Sequence, residues 1–278
     1  MPVKIVTDSA ADLPEGAAEA HDVRVVPLTI RFGDDEYTDG VDLTPQAFYD
    51  KMAELDVLPA TAAPSPGAFE AAFREAGANG DPVVCINLSS ELSATMQSAQ
   101  TAAKAIGDEL DVTVLDSKSI TAGLGMQVLA AAKLAEQGGS VADIVALVED
   151  HRSRTRVFGA LDTLDNLKKG GRIGGAQAML GSILSIKPII DISTGSVTEA
   201  AKQRTRKKSM IWLRDRILEA PGVDQVAVCH GCSEDVAELR ELLRPHFSEE
   251  QMSTWIIGPV IGAHGGPRVV GLVWLDNQ

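Results

Sequence analysis

The chain has 278 residues, 45% of them hydrophobic and 23% charged, the balance of a globular protein with one large domain or two ordinary ones. No apolar run reaches the ~18 residues that a membrane span needs, and residues 1–8 carry no charged-then-apolar leader pattern, so a cytoplasmic location is expected. A net charge of −14 argues against general nucleic-acid binding, and three scattered cysteines argue against a disulfide framework.

The first half alternates strand and helix patterns. Residues 3–8 form an apolar strand that ends at Asp8-Ser9. Asp12-Leu13-Pro14-Glu15 then reads as a helix start, with Asp12 as cap and Pro14 in the first turn. Residues 23–32 read as one strand, and Gly33-Asp34-Asp35 turns it into a short hairpin arm at 36–40. Thr44-Pro45 opens a helix, and Ser65 caps another after the Pro-rich turn at 58–66. A buried strand at 83–88 leads into a helix over 93–105. A strand at 112–115 is followed by an Ala-rich helix over 123–136 and a last helix over 141–153. Such alternation implies βαβ units and a mostly parallel sheet.

The second half changes rhythm. Strands are expected at 157–161, 186–192, 196–201, 225–229, 254–257 and 269–274, with helices over 205–219 and 233–243. Six strands with few helices imply a mixed sheet with helices on one face. The boundary falls near residue 153, giving an α/β protein of two domains, 1–153 and 154–278, with a cleft or tunnel at their junction.

Five segments carry candidate chemistry. Ser89–Ala99 packs hydroxyls at a strand-to-helix junction, where free N–H groups and the helix dipole suit an anion; a capping serine is the plainer reading. Thr61 lies in an extended stretch fixed by flanking prolines. Residues 162–174 place Lys168, Lys169 and Arg172 around Gly170-Gly171, a cup for an anion or a C-capped helix end, and they do not match a P-loop. Residues 202–208 hold five cations beside a helix N-terminus, where cations are unfavourable, so an external anion or partner is expected. Residues 258–267 read as a glycine-rich loop with one histidine, His264. From Arg152 to Arg216 there are fourteen Lys and Arg against five Asp and Glu, a balance of +9 that leaves −23 for the rest. Cys229-His230-Gly231-Cys232 has no second ligand pair and reads as small residues at a strand end, so no metal site is expected.

Taken in order, these segments resemble the DegV family of bacterial fatty-acid-binding proteins over essentially the whole chain. The matching stretches are 7–13, 61–69, 89–99, 116–125, 161–174, 181–188, 202–208 and 258–267. The resemblance implies an N-terminal α/β/α domain with a parallel sheet, a C-terminal mixed six-stranded sheet with helices, and a long-chain fatty acid enclosed between them. It implies that Ser93 and Thr61 bind the carboxylate, that His264 sits at the head of the pocket, and that Arg172 and Arg204 face a phosphate or a partner. It further implies that the chain is the non-catalytic carrier subunit of a fatty acid kinase system in phospholipid synthesis. A separate ATP-dependent kinase subunit would phosphorylate the bound acid. No cofactor, catalytic residue or transmembrane segment is implied, and contact with a membrane surface would be transient. The sequence departs from the family pattern at Ala94, at Ala62-Ala63 and at Arg268, none of which removes a named hydroxyl, arginine or histidine. Two rival functions stand beside this one: lipid binding or signalling without a kinase partner, and Ser93-dependent acyl hydrolysis, for which no G-x-S-x-G elbow is present.

Overall fold

The computed structural model describes residues 2–55, 57–180 and 186–277. In chain order the first half holds β1 (Lys4–Asp8), α1 (Ala17–Ala20), β2 (Val23–Val26), β3 (Thr29–Phe32), β4 (Asp35–Thr38) and α2 (Pro45–Glu54). It continues with β5 (Ala60–Ala62), α3 (Pro66–Ala76), β6 (Val83–Asn87), α4 (Thr95–Ile106), β7 (Val112–Asp116), α5 (Thr121–Glu136) and α6 (Val141–Arg154). The second half holds β8 (Thr155–Ala160), α7 (Asp165–Lys169), β9 (Lys187–Asp191), β10 (Thr198–Gln203) and α8 (Arg206–Leu218). After these come β11 (Val223–His230), α9 (Asp235–Leu243), β12 (Met252–Ile256), α10 (Pro259–Gly265) and β13 (Val270–Asp276).

The first sheet runs β2-β1-β6-β7 with every pairing parallel, as the βαβ rhythm requires. Helices α3 and α4 cover one face through Phe69, Phe73, Ala99 and Ile106, buried against Val6 and Cys85. The six-stranded sheet runs β10-β9-β8-β13-β11-β12 and is antiparallel except at β11–β12. One face packs α8 and α9 through Met210, Leu213, Ile217, Leu239 and Leu243.

The other faces of the two sheets share α5. A single apolar core joins Ile5 and Val84 of the first sheet to Val157 and Val273 of the second, with Leu124 and Val128 of α5 between them. Small residues make this possible. A Cβ at Gly125 would lie 2.5 Å from both the Ala11 carbonyl oxygen and the Trp255 ring. The glycine therefore lets α5 touch the 3-10 turn at Ser9–Ala11 and β12 at once.

Four expectations are corrected. The strand expected over 23–32 is two strands in two sheets: Pro27 supplies no N–H, so β2 ends in the parallel sheet. β3 then enters a small antiparallel sheet, β4-β3-β5. Asp12 does not cap a helix. The turn before it is capped by Asp8, whose carboxylate accepts from Ala10 N at 3.1 Å, and Asp12 itself sits at φ 47°. Its carboxyl turns inward against the Gly258 N–H. The fourth helix begins at Thr95, not at Ser93. Finally, the glycine-rich stretch at 258–267 is a loop only at its ends. Pro259 starts α10, and Gly266 ends it at φ 78°. The caps at Thr44 and Ser65 are as expected, accepting from Ala47 N at 3.3 Å and Ala68 N at 3.2 Å. Within the 181–188 stretch, residues 181–185 lie outside the described residues.

Candidate functional site

Between the two sheets lies a cavity with about 860 Å³ free of protein atoms, counting its open mouth. Aliphatic side chains from both halves form its walls, among them Leu28, Leu88 and Ile120 on one side and Ile190, Ile192 and Val273 on the other. Four of the five side chains singled out from the sequence, Ser93, Thr61, His264 and Arg172, line it. Arg204 does not; it is exposed just before the Thr205 cap of α8.

Each of the four is held by an identifiable local cause. Thr61 is in β5, paired opposite Ile30 of β3, so the small sheet fixes its backbone. His264 is in the last turn of α10, and its Nε2 lies 3.0 Å from Thr61 Oγ1. Arg172 follows a helix end closed by the double bond pattern that glycine favours. Gly171, at φ 70°, donates to Lys168 O at 3.2 Å, and Arg172 N donates to Leu167 O at 2.9 Å. The Arg172 guanidinium then reaches back, with Nε donating to Leu92 O at 3.1 Å and Nη1 to Gly170 O at 2.8 Å. Leu92 is the neighbour of Ser93, so the arginine ties the serine loop to the α7 end. Ser93 Oγ lies 2.9 Å from Thr95 Oγ1 and accepts weakly from Thr95 N at 3.3 Å. The anion-cup and helix-end readings of 162–174 thus describe one feature, since the C-cap aims the arginine.

Histidine protonation follows from the packing. Burial, with the Arg172 charge nearby, pushes His264 down to about 4, so the ring is neutral near pH 7. Its Nδ1 is buried without a hydrogen-bond partner, and a Cβ on Gly170 would lie 2.4 Å from it. A bare lone pair there costs less than an unpaired N–H. We therefore assign the proton to Nε2, which donates to Thr61 Oγ1. The Thr61 hydroxyl proton is then free to point into the cavity. This arrangement does not pair Ser93 with a base: the serine bonds to Thr95, and the histidine bonds to Thr61. A Ser93-dependent hydrolase would need those two side chains on each other.

The polar turns at the strand ends mostly bond to one another. Asp8 accepts from Asn87 Nδ2 at 3.0 Å and Leu88 N at 2.9 Å; burial nevertheless pushes its carboxyl up to about 6. Ser90 Oγ donates to Asp116 at 2.5 Å, and Ser89 Oγ to Gly195 O at 2.6 Å. The Ser89 bond knits the floor of the serine loop to the second half.

The basic segment also divides. Lys187 pairs with Asp162 at 2.9 Å and Lys202 with Glu199 at 3.2 Å. Arg206 pairs with Asp235 at 3.0 Å and donates to the Ala160 and Arg268 carbonyls. Arg204, Lys207 and Lys208 are exposed and make no ion pair among the described residues. At the C-x-x-C, burial raises the thiol of Cys229 above its usual range and raises that of Cys232, which disfavours the thiolate that metal or redox chemistry requires.

The match to known proteins is whole-chain. The model of the DegV family of uncharacterised proteins covers residues 2–277. The chain belongs to the DegV family. A DegV domain-containing protein of Deinococcus radiodurans is 37% identical over 278 residues, 98% of each chain. A fatty-acid-binding DegV family protein of Thermus thermophilus superposes with a TM-score of 0.91 at 35% identity, covering 100% of both chains. A stearic-acid-binding protein of Eubacterium ventriosum superposes at 0.86 with 28% identity, covering 99% of this chain and 98% of that one.

Sequence reading missed two kinds of residue that line the cavity. Thr121, at φ 44° where α5 begins, also lines the cavity. So do Gly159 and Gly271, in mid-strand. A glycine inside the apolar run Val157-Phe158-Gly159-Ala160-Leu161 was the available signal, because strand interiors disfavour it.

Proposed function

We propose that this chain holds one long-chain fatty acid in the cavity, carboxylate toward Ser93 and Thr61, and carries it without transforming it. One observation carries the reading: the cavity walls are aliphatic, while Ser93, Thr61, His264 and Arg172 all line it, with Thr61 bonded to His264 and Arg172 bonded to the Leu92 carbonyl beside Ser93. Burying a methylene stabilises by about 0.8 kcal/mol, so a chain of about sixteen carbons gains on the order of 10 kcal/mol before ordering costs. A carboxylate cannot be left bare there. Ser93 and Thr61 donate to it, His264 orients the Thr61 hydroxyl, and Arg172 supplies positive charge. The fatty-acid-binding relatives support the same ligand class. The chain divides near residue 153, and the acid lies between its two domains.

The presented carboxylate is the substrate of a separate ATP-dependent kinase subunit. Its oxygen attacks the γ-phosphorus, an acyl phosphate forms and ADP leaves, with nucleotide and metal supplied by the partner. Exposed Arg204, with Lys207 and Lys208, forms the docking charge. Loading takes place by transient contact with a membrane surface; no helix among the described residues is long and apolar enough to cross one.

Native mass spectrometry of the purified protein tests the binding step: we expect an added mass that extraction identifies as a long-chain acid. A folded protein that neither carries nor takes up such acids overturns the reading. Failure of a cognate kinase to phosphorylate a tightly bound acid would leave the carrier and remove the kinase role.

A further inference from the structure

Gly159 sits in the interior of β8, between β9 and β13, where glycine weakens a strand and gives it no side chain to pack. Its backbone does not need to be glycine, because it is absent from the positive-φ positions. Nor does packing require it: a Cβ built there would meet only the Ile190 side chain, at 3.5 Å, an ordinary contact. Directly across the strand pair is Gly271, for which a Cβ would lie 2.6 Å from the Phe158 carbonyl oxygen. Close strand approach accounts for Gly271 and leaves Gly159 unexplained.

Both glycines face the cavity. Along β8 and β13 the same face carries Val157 and Val273 on one side of the pair, and Leu161 and Val269 on the other. The Leu161–Val269 side is the head-group end: Gly265, the residue after His264, comes within 3.2 Å of Val269 by its Cβ position. Leu161 lies two residue steps from Gly159, about 7 Å along the chain. The sheet surface is therefore bare of side chains in mid-channel, with walls continuing beyond it to Val157 and Ile192.

We infer that the acyl chain crosses the six-stranded sheet at Gly159, in contact with bare strand backbone, and that the side chain at this position sets how far an acid can extend. This inference rests on the fatty acid reading above. It adds that residue 159 determines acyl specificity by steric exclusion, with Ile190 and Cys229 as the flanking side chains in the same cross-strand row.

The test measures affinities of saturated acids from eight to eighteen carbons for the wild type, Gly159→Ala and Gly159→Leu, with thermal unfolding as the fold control. In the wild type each added pair of carbons tightens binding. We expect Gly159→Ala to weaken the long acids about tenfold, the effect of one methyl forced into occupied space. We expect Gly159→Leu to weaken them at least about a hundredfold and to flatten the length dependence. Folded Gly159→Leu with stearate affinity and length dependence unchanged overturns the inference. If that variant does not fold, Gly159→Ala decides, since its Cβ is accommodated: unchanged or tighter stearate binding overturns the inference. Wild-type protein that binds none of these acids refutes the fatty acid reading itself, whereas wild-type binding with indifferent Gly159 variants refutes only the role of this residue.

Discussion

Replacing Thr61 by valine keeps the shape of the side chain and removes one hydroxyl, so its effects separate the two bonds assigned to that oxygen. In the empty protein the His264 Nε2–H, 3.0 Å away, loses its acceptor in a buried site. An unsatisfied buried donor costs about 1–3 kcal/mol, and the free protein should be destabilised by that amount. On ligand binding, a second loss appears: the bond from the Thr61 hydroxyl to a charged carboxylate, about 1.5–3 kcal/mol. That converts to roughly 10- to 150-fold weaker binding. Thr61→Ser retains the hydroxyl and should recover most of both terms. The assays are chemical denaturation of delipidated protein and calorimetric titration with palmitate. A corresponding methyl ester, whose neutral carbonyl accepts a weaker bond, should show a smaller difference between wild type and Thr61→Val. Folded Thr61→Val that binds palmitate within twofold of wild type would refute the assignment of Thr61 as a carboxylate donor.

Other outcomes follow from the same geometry. His264 has a folded pKa pushed down to about 4, below its ordinary 6.5, so the unfolded chain binds more protons between those values. Its contribution to stability is intact above pH 6.5 and is lost as pH falls toward 4, by about 3 kcal/mol at most. Asp39, pushed up to about 6 by burial, has the opposite sign: its penalty is full above pH 6 and relieved as pH falls toward 3.8. Denaturation from pH 7 to 4 should therefore give His264→Gln a flatter acid loss than wild type and Asp39→Asn a steeper one; parallel curves would contradict both assignments. Arg206→Ala should destabilise by roughly 1–2 kcal/mol, because Asp235 loses one of its two arginine partners, keeping Arg268 at 3.1 Å, and two carbonyls lose a donor. Arg204→Ala should stay within about 0.5 kcal/mol of wild type and affect only kinase-dependent turnover; equal unfolding midpoints for the two variants would sink this division. Gly125→Ala should cost more than about 2 kcal/mol, since its Cβ would lie 2.5 Å from a backbone oxygen and from the Trp255 ring; a wild-type melting temperature would count against the close packing of α5.

How legible all this was depended on the range of the interaction involved. Thr44 and Ser65 were readable as caps because the cap and the amide it satisfies lie three residues apart. The strand-helix alternation gave the parallel sheet, and the change of rhythm after residue 153 gave the mixed one. Asp12 was misread because its carboxyl is fixed by a partner at Gly258, far along the chain, and nothing local says so. The basic segment looked like a surplus because its neutralising carboxylates lie partly elsewhere, such as Asp235 for Arg206. Arg204, Lys207 and Lys208 make no ion pair among the described residues, while Lys187, Lys202 and Arg206 are taken up in ion pairs. Gly159 differs again: the local anomaly was visible, but its meaning depends on what faces it across the cavity.

The head-group end brings these threads together. Arg172 cannot grip a carboxylate side-on through Nε, because that N–H and one on Nη1 already hold the Leu92 and Gly170 carbonyls. Its charge is placed near the site while part of its donor capacity ties the loop that carries Ser93 to the end of α7. Short-range recognition then falls to neutral hydroxyls, and neutral His264 spends its one N–H on Thr61 rather than on ligand. A grip of this kind is weaker than a bidentate arginine clamp by roughly the difference between one and two charge-assisted bonds. Most affinity must then come from the acyl chain, so binding strength should follow chain length closely while the carboxylate remains loosely held and reactive. A carrier that must surrender or modify its acid needs that division. A wild-type affinity that depended on the carboxylate more than on chain length would show that the division has been drawn the wrong way round.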